Sequence, residues 1–304
     1  MATADLSYSF AGARTGFLLI HGLGGTPVEL KYVAKGLARR GFTVRCCQLA
    51  GHCGSVEDLL ATGWRDWYDS VSAALDRMRA ECDVVIAGGL SMGAVLALHL
   101  AAQRPRDVHG LALYAPTLWY DGWSTPWYRF MIKLCMLTRL GQGLLSRLYR
   151  FVERAPYGIK DPTIRAVVIA AMKSGDSGQA GILVTPGEAV RQLCLLVDVV
   201  KSELPSVAAP ALIVQARDDD LSSLKNASYL QRRLGGLVDT LVLDDSYHIV
   251  TVDRQRDLLI ESTVAFATLL AARLKVEERS DTVRTIGEAN VARTGRSHPA
   301  SGHP

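Results

Sequence analysis

Apolar and polar positions along the chain change rhythm in a way that separates strands from helices. Short, mostly apolar runs at residues 17–20, 43–49, 83–87 and 108–114 have the pattern of buried strands. Between them lie stretches with apolar residues at helical spacing: 26–40, 64–79 and 94–102. In the second, Trp67, Val71, Ala74, Leu75 and Met78 share one face. The first has a marked start. Thr26 is placed to cap it, Pro27 takes the first helical position, and Glu29 stands where a capping box needs an acid. Gly41 ends it. The alternation predicts an α/β fold, a mostly parallel sheet with helices on both faces.

After Pro116 the alternation stops. Residues 117–205 carry helical pieces, at 127–139 and 145–154, joined by loops. The earlier rhythm then resumes, with strands at 211–215 and 240–243 and helices at 224–234 and 254–276. This organisation predicts a core from residues 1–116 and 206–278 with an insert at 117–205. Residues 279–304 are rich in Ser, Thr, Gly, Arg and Pro without apolar periodicity, which predicts a disordered tail.

Composition narrows the function classes. Of 304 residues, 49% are hydrophobic and 21% charged, an ordinary globular balance. A net charge of +4 without any basic run argues against a nucleic-acid partner. The six cysteines, Cys46, Cys47, Cys53, Cys82, Cys135 and Cys194, form no paired pattern with histidines, so neither zinc nor another metal or cofactor is expected. Cys46, Cys47 and Cys82 fall in or beside apolar segments and read as buried thiols. The first ten residues have no basic stretch followed by an apolar one, which predicts no secretory signal and a cytoplasmic protein. No apolar stretch is long enough to span a bilayer.

The chemistry is concentrated at Gly89-Leu90-Ser91-Met92-Gly93, a G-x-S-x-G pentapeptide between a strand and a helix. That context reads as a nucleophile elbow rather than a plain turn. A serine hydroxyl needs a general base, and the base needs an orienting carboxylate. Both lie downstream, past strand ends. One strand runs into Asp218, Asp219 and Asp220, the next into Asp244-Asp245-Ser246-Tyr247-His248. His248 is the candidate base. His21 reads as a loop brace, His52 as structural, His99 as helical, and His109 precedes a strand at the opposite edge; His298 and His303 lie in the tail. Spacing leaves the three adjacent aspartates as alternatives. Asp244 and Asp245 sit too near His248 in sequence and read as solvated turn residues. In His21-Gly22-Leu23-Gly24-Gly25, Gly22 and Gly24 allow close approach of backbone to substrate. The N–H groups of Leu23 and Met92 are the candidate oxyanion donors, worth about 3 kcal/mol each. The loop lacks the spacing and the Lys-Ser/Thr pair of a phosphate cradle.

Together these residues resemble the α/β-hydrolase superfamily, and within it the bacterial carboxylesterases and monoacylglycerol lipases. The resemblance covers roughly residues 16–270 apart from the insert. It is carried by Leu18-Leu19-Ile20-His21-Gly22, Gly51-His52-Cys53-Gly54, the elbow, Gln215-Ala216-Arg217-Asp218-Asp219, and Ser246 to Asp253. It implies the α/β-hydrolase fold with a helical cap inserted after the fourth strong strand. It implies Asp219 as the acid of a Ser91–His248–Asp219 triad. Tyr247 stands where a glycine is usual, Cys53 intrudes in the G-H-G loop, and Ser222-Ser223 replaces an aliphatic, proline-containing turn.

The insert opens with Trp119, Trp123 and Trp127, accompanied by Tyr120, Tyr128 and Phe130. These read as the cap's contact with the core or as an apolar acyl pocket over Ser91. Arg129, Lys133, Arg139, Arg147 and Arg150 among them also suit transient membrane-surface contact. The expected activity is hydrolysis of a small-molecule carboxylic ester with an apolar acyl group through an acyl-enzyme. The rivals are the same atoms acting on amide, carbamate or thioester bonds or in acyl transfer, and a non-catalytic binding protein on the same fold. Hydrolases with an aspartate nucleophile are disfavoured, because the elbow carries serine. Oligomeric state leaves no pattern in the sequence.

Overall fold

The computed structural model describes residues 5–125, 150–152, 154–173, 177–182 and 184–294. The apolar runs form the middle of a seven-stranded sheet. Its strands are β1 (Tyr8–Phe10), β2 (Ala13–Ile20), β3 (Phe42–Cys47), β4 (Val84–Leu90), β5 (Gly110–Tyr114), β8 (Ala211–Ala216) and β9 (Val238–Leu243). Across the sheet the order is β1-β3-β2-β4-β5-β8-β9, and only the β1–β3 pair is antiparallel. The sequence reading missed β1, a three-residue edge strand too short to show a period.

Strand side chains alternate between two cores, so an unbroken apolar run is needed to fill both. Leu18, Ile20, Val85, Ala87, Leu111, Leu113 and Ile213 face one. Phe17, Leu19, Ile86, Ala112, Tyr114, Leu212 and Val214 face the other. The first core is covered by α3 (Trp64–Arg79) and α4 (Met92–Gln103), the second by α1 (Lys31–Arg39) and the front part of α9 (Arg256–Thr294). α4 is buried on nearly every side, which its uniformly apolar sequence allows. A short helix, α2 (Val56–Leu60), lies before α3.

The start of α1 differs from expectation. Thr26 Oγ1 accepts the N–H of Val28 at 3.2 Å, and Pro27–Leu30 form a 3-10 turn before the α-helix begins. Glu29 does not close a capping box. Its carboxylate turns back to the N–H of Gly22, because the loop before the helix folds over the first turn and offers that donor.

Between β5 and β8 the chain leaves the sheet. Arg150–Val152 and Val184–Pro186 pair antiparallel as β6 and β7, so the helix expected at 145–154 is a strand where it is described. The helix expected at 127–139 lies outside the described residues, as does most of the aromatic and basic run. α5 (Pro162–Lys173) and the short α6 (Ser177–Ala180) stand between the two strands. α7 (Gly187–Glu203) then buries Leu193, Leu196, Val197 and Val200 in the same core cluster as α3 and α4. The last helix of the expected insert therefore belongs to the sheet's covering layer. α8 (Leu224–Arg233) follows β8.

α9 continues to Thr294, well past residue 276 and into the segment expected to be disordered. The Glu, Arg and Ala residues in the sequence past residue 276 suit a helix by propensity. Among the described residues, no helix is long and apolar enough to cross a membrane, and no cluster of His, Cys, Asp and Glu is arranged to hold a metal. Cys46, Cys47 and Cys82 are free and buried.

Candidate active site

Six parallel strands end at one edge of the sheet, and the loops leaving them hold the polar residues singled out in the sequence. Ser91 follows β4 directly, with φ 56° and ψ −113°, a strained conformation for a residue bearing a Cβ. Its N–H donates to Tyr114 O at 2.9 Å, which ties the turn to β5. The flanking glycines serve close approach. A Cβ on Gly89 would lie 2.1 Å from Ile20 O, and one on Gly93 2.0 Å from the same atom. The end of β2 thus presses against both sides of the elbow. Ser91 Oγ donates to Thr117 Oγ1 at 3.1 Å, and Thr117 in turn donates to Ala115 O. Sequence reasoning passed over Thr117.

The structure separates the three aspartates. Asp218 is exposed and pairs with Lys160. Asp219 is buried against His248, its Oδ2 2.9 Å and its Oδ1 3.1 Å from Nδ1. Oδ1 also accepts the N–H groups of Leu221 and Ser222, and Oδ2 accepts Gln215 Nε2 at 2.7 Å. These donors fix the plane of the carboxylate. Ser222 Oγ lies 3.4 Å from the same histidine nitrogen. Asp220 points the other way. Its Oδ1 accepts the backbone N–H of His248 and its Oδ2 that of Gly158, while burial raises its pKa above the usual carboxylate range. Asp244 is exposed and paired with Arg217, and half-buried Asp245 is paired with Lys160 and Arg254.

Asp253 completes the support of the histidine loop. Fully buried, it accepts N–H groups from Lys160, Asp161, Tyr247 and Arg254. Through Asp220 and Asp253, residues 158–161 and the loop carrying His248 share the same acceptors. Neither role was legible in sequence, since both depend on backbone donors brought from distant segments.

His21 braces the loop after β2, as expected. Its Nε2 accepts the N–H of Leu49, so Nδ1 carries the proton and donates to Gly22 O at 2.9 Å. Burial pushes its pKa down to about 3, which keeps the ring neutral and the brace intact through the neutral range. His52 packs edge-on between His21 and Trp67, and His99 is buried against Trp64, Tyr68 and Glu203.

A cavity of about 530 Å³ opens above these loops, within the range of small-molecule sites. Ser91, His248, Gly22, Leu23 and Gly24 lie on its floor; Met92 is buried behind Ser91. Its apolar wall is Val167, Val168, Ala171 and Met172 of α5 with Phe151 and Ile182. The wall expected from tryptophans is elsewhere. Trp119 packs edge-on against Tyr229 beneath Lys201, and Trp123 packs against Tyr247 with Nε1 donating to Asp218 O; neither lines the cavity. Trp127 lies outside the described residues. The signal for the true wall was the apolar stretch of α5, a helix none of whose residues is buried.

The sheet order, the serine elbow after β4 and the polar loops after β8 and β9 are those of an α/β hydrolase. The model of one family of these enzymes, serine aminopeptidase S33, matches residues 12–255, and the chain belongs to that family. It is 27% identical over 252 residues to a thermostable monoacylglycerol lipase from Bacillus sp. strain H-257, covering 83% of this chain and 89% of that one. It is 24% identical over 272 residues to a carboxylesterase from Bacillus subtilis strain 168, covering 85% and 94%. Among solved structures, a metagenome-derived lipolytic enzyme superposes with a TM-score of 0.71 at 26% identity, covering 86% of this chain and 96% of that one.

Proposed function

We propose that the protein is a serine carboxylic-ester hydrolase acting through Ser91, His248 and Asp219. The observation that carries the reading is the buried His248–Asp219 pair, at 2.9 Å, with His248 and Ser91 opening onto one largely apolar cavity. His248 takes the Ser91 proton on Nε2 as Oγ attacks the ester carbonyl. Asp219 holds the Nδ1–H tautomer and stabilises the imidazolium that forms. The N–H groups of Leu23 and Met92 receive the oxyanion. The alcohol leaves with the proton from His248, and water activated by the same nitrogen releases the acid. The apolar wall from α5 suits an acyl chain, and α5 with Phe151 and Ile182 acts as the cap over the site. Relatives named as a monoacylglycerol lipase and a carboxylesterase support the ester class.

The test is labelling by a fluorophosphonate probe, with hydrolysis of p-nitrophenyl esters from acetate to palmitate beside monoacylglycerols, amides and carbamates. Ser91→Ala is expected to lose both labelling and hydrolysis while remaining folded. An unlabelled wild type favours a binding protein on this fold. A preference for amides or carbamates moves the bond class and leaves the triad in place.

A further inference from the structure

Glu29 carries a carboxylate inside the site that the proposed triad does not use. It comes from the 3-10 turn before α1 and reaches back under the loop from His21 to Gly25. One carboxylate oxygen accepts the N–H of Gly22. The other fills the space beside Gly25, where an added Cβ would lie 2.3 Å from it. The carbonyl of Gly22 is held from the opposite side, by His21 Nδ1–H at 2.9 Å and by the N–H of Gly25 at 3.2 Å. Gly22 is therefore clamped at both its N–H and its C=O. Its carbonyl belongs to the peptide whose nitrogen is Leu23 N. The clamp thus sets the direction of the Leu23 N–H, and Glu29 also lines the cavity beside Ser91 and His248.

We propose that Glu29 is a positioning residue for the oxyanion hole, its carboxylate accepting the Gly22 N–H and so aiming the Leu23 N–H at the reacting carbonyl oxygen. The proposal rests on the ester-hydrolase reading above. An oxyanion donor acts only when it points to where charge develops, so loss of its support falls on the transition state more than on the bound ester. Gly25 has a matching role: only a residue without a side chain leaves room for the carboxylate under the loop.

The experiment compares the full-length wild type with Glu29→Ala and Glu29→Gln, using p-nitrophenyl butyrate kinetics and inhibition by an alkyl trifluoromethyl ketone, which forms an oxyanion on the serine. Glu29→Ala is expected to lower kcat about 10- to 100-fold with KM within about twofold, and to weaken ketone inhibition by a similar factor. Glu29→Gln keeps an oxygen for the Gly22 N–H and is expected within about fivefold of wild type. Should Glu29→Ala fail to fold, Glu29→Leu fills the same space without an acceptor and carries the same expectation. A folded Ala or Leu variant with wild-type kcat, a loss confined to KM, or a Gln variant as impaired as Ala overturns the proposal. A wild type that cleaves no ester overturns the underlying reading instead.

Discussion

Replacing Asp219 by Asn removes a charge and turns one acceptor into a donor, and the contacts around it determine where that donor goes. Oδ1 accepts the N–H groups of Leu221 at 2.8 Å and Ser222 at 2.7 Å, so the amide oxygen has to take that place. The amide nitrogen then stands at the Oδ2 position, facing Gln215 Nε2 at 2.7 Å and His248 Nδ1 at 2.9 Å. Gln215 cannot turn its oxygen inward without facing Ser222 O, to which Nε2 also donates at 2.9 Å. The open relief is for the His248 proton to move from Nδ1 to Nε2. The nitrogen proposed to take the serine proton is then already occupied. The expected loss in kcat is about 10,000-fold, or about 5.4 kcal/mol at 1.36 kcal/mol per factor of ten. The assay is p-nitrophenyl butyrate hydrolysis at pH 8, with circular dichroism to establish the fold. Asp220→Asn keeps an oxygen for the His248 N–H and is expected to lose no more than about tenfold. Exposed Asp218 is expected to tolerate Asn without loss. A folded Asp219→Asn protein retaining more than about 1% of wild-type kcat, or a larger loss for Asp220→Asn, refutes the reasoning.

Gly93→Ala places a Cβ 2.0 Å from Ile20 O, and the cost of parting the elbow from β2 is expected at about 3 kcal/mol, read as a lowered Tm; an unchanged Tm contradicts the packing described. Asp253→Ala strands four backbone donors at the root of the His248 loop, so stability is expected to fall by about 3 kcal/mol with a parallel loss of kcat. Stability unaffected in urea titration argues against that role. Burial pushes the pKa of Glu29 up from 4.5 to about 7, against the Gly22 N–H and His248, which both lower it. The native state then holds this proton to higher pH than the unfolded chain, so its contribution to stability falls as pH rises from 4.5 through about 7. Glu29→Gln does not titrate, and its Tm relative to wild type is expected to rise between pH 5 and pH 8 by the equivalent of at most about 3 kcal/mol; a flat difference refutes the assignment.

The parallel strands and their helices were legible because each buries side chains on a repeat that sequence displays directly. α3 begins and ends where its apolar spacing placed it, and the elbow serine lies between the expected strand and helix. α7 was hidden because its apolar face follows an irregular stretch, and its place beside α4 depends on where β6 and β7 return the chain. Glu29 shows the opposite error. Its spacing from Thr26 matched a capping box, but the loop before the helix presented Gly22 N–H to the same carboxylate. A local pattern lost to a donor brought by the turn of the chain.

The sequence by itself determined the strand–helix alternation, the serine at its turn, and an aspartate cluster and a histidine past later strand ends. Those features are local, written in periodicity and in residues a few positions apart. Spacing left Asp218, Asp219 and Asp220 open and the family resemblance pointed to Asp219; the tertiary structure shows which faces His248, since the three differ in the direction in which the loop turns each side chain. It also decided that α5, and not Trp119 or Trp123, walls the cavity above Ser91. Hydrophobicity along the chain records that a side chain needs covering. Which segment covers it, or leaves it open to a substrate, is set by contacts between residues far apart in sequence.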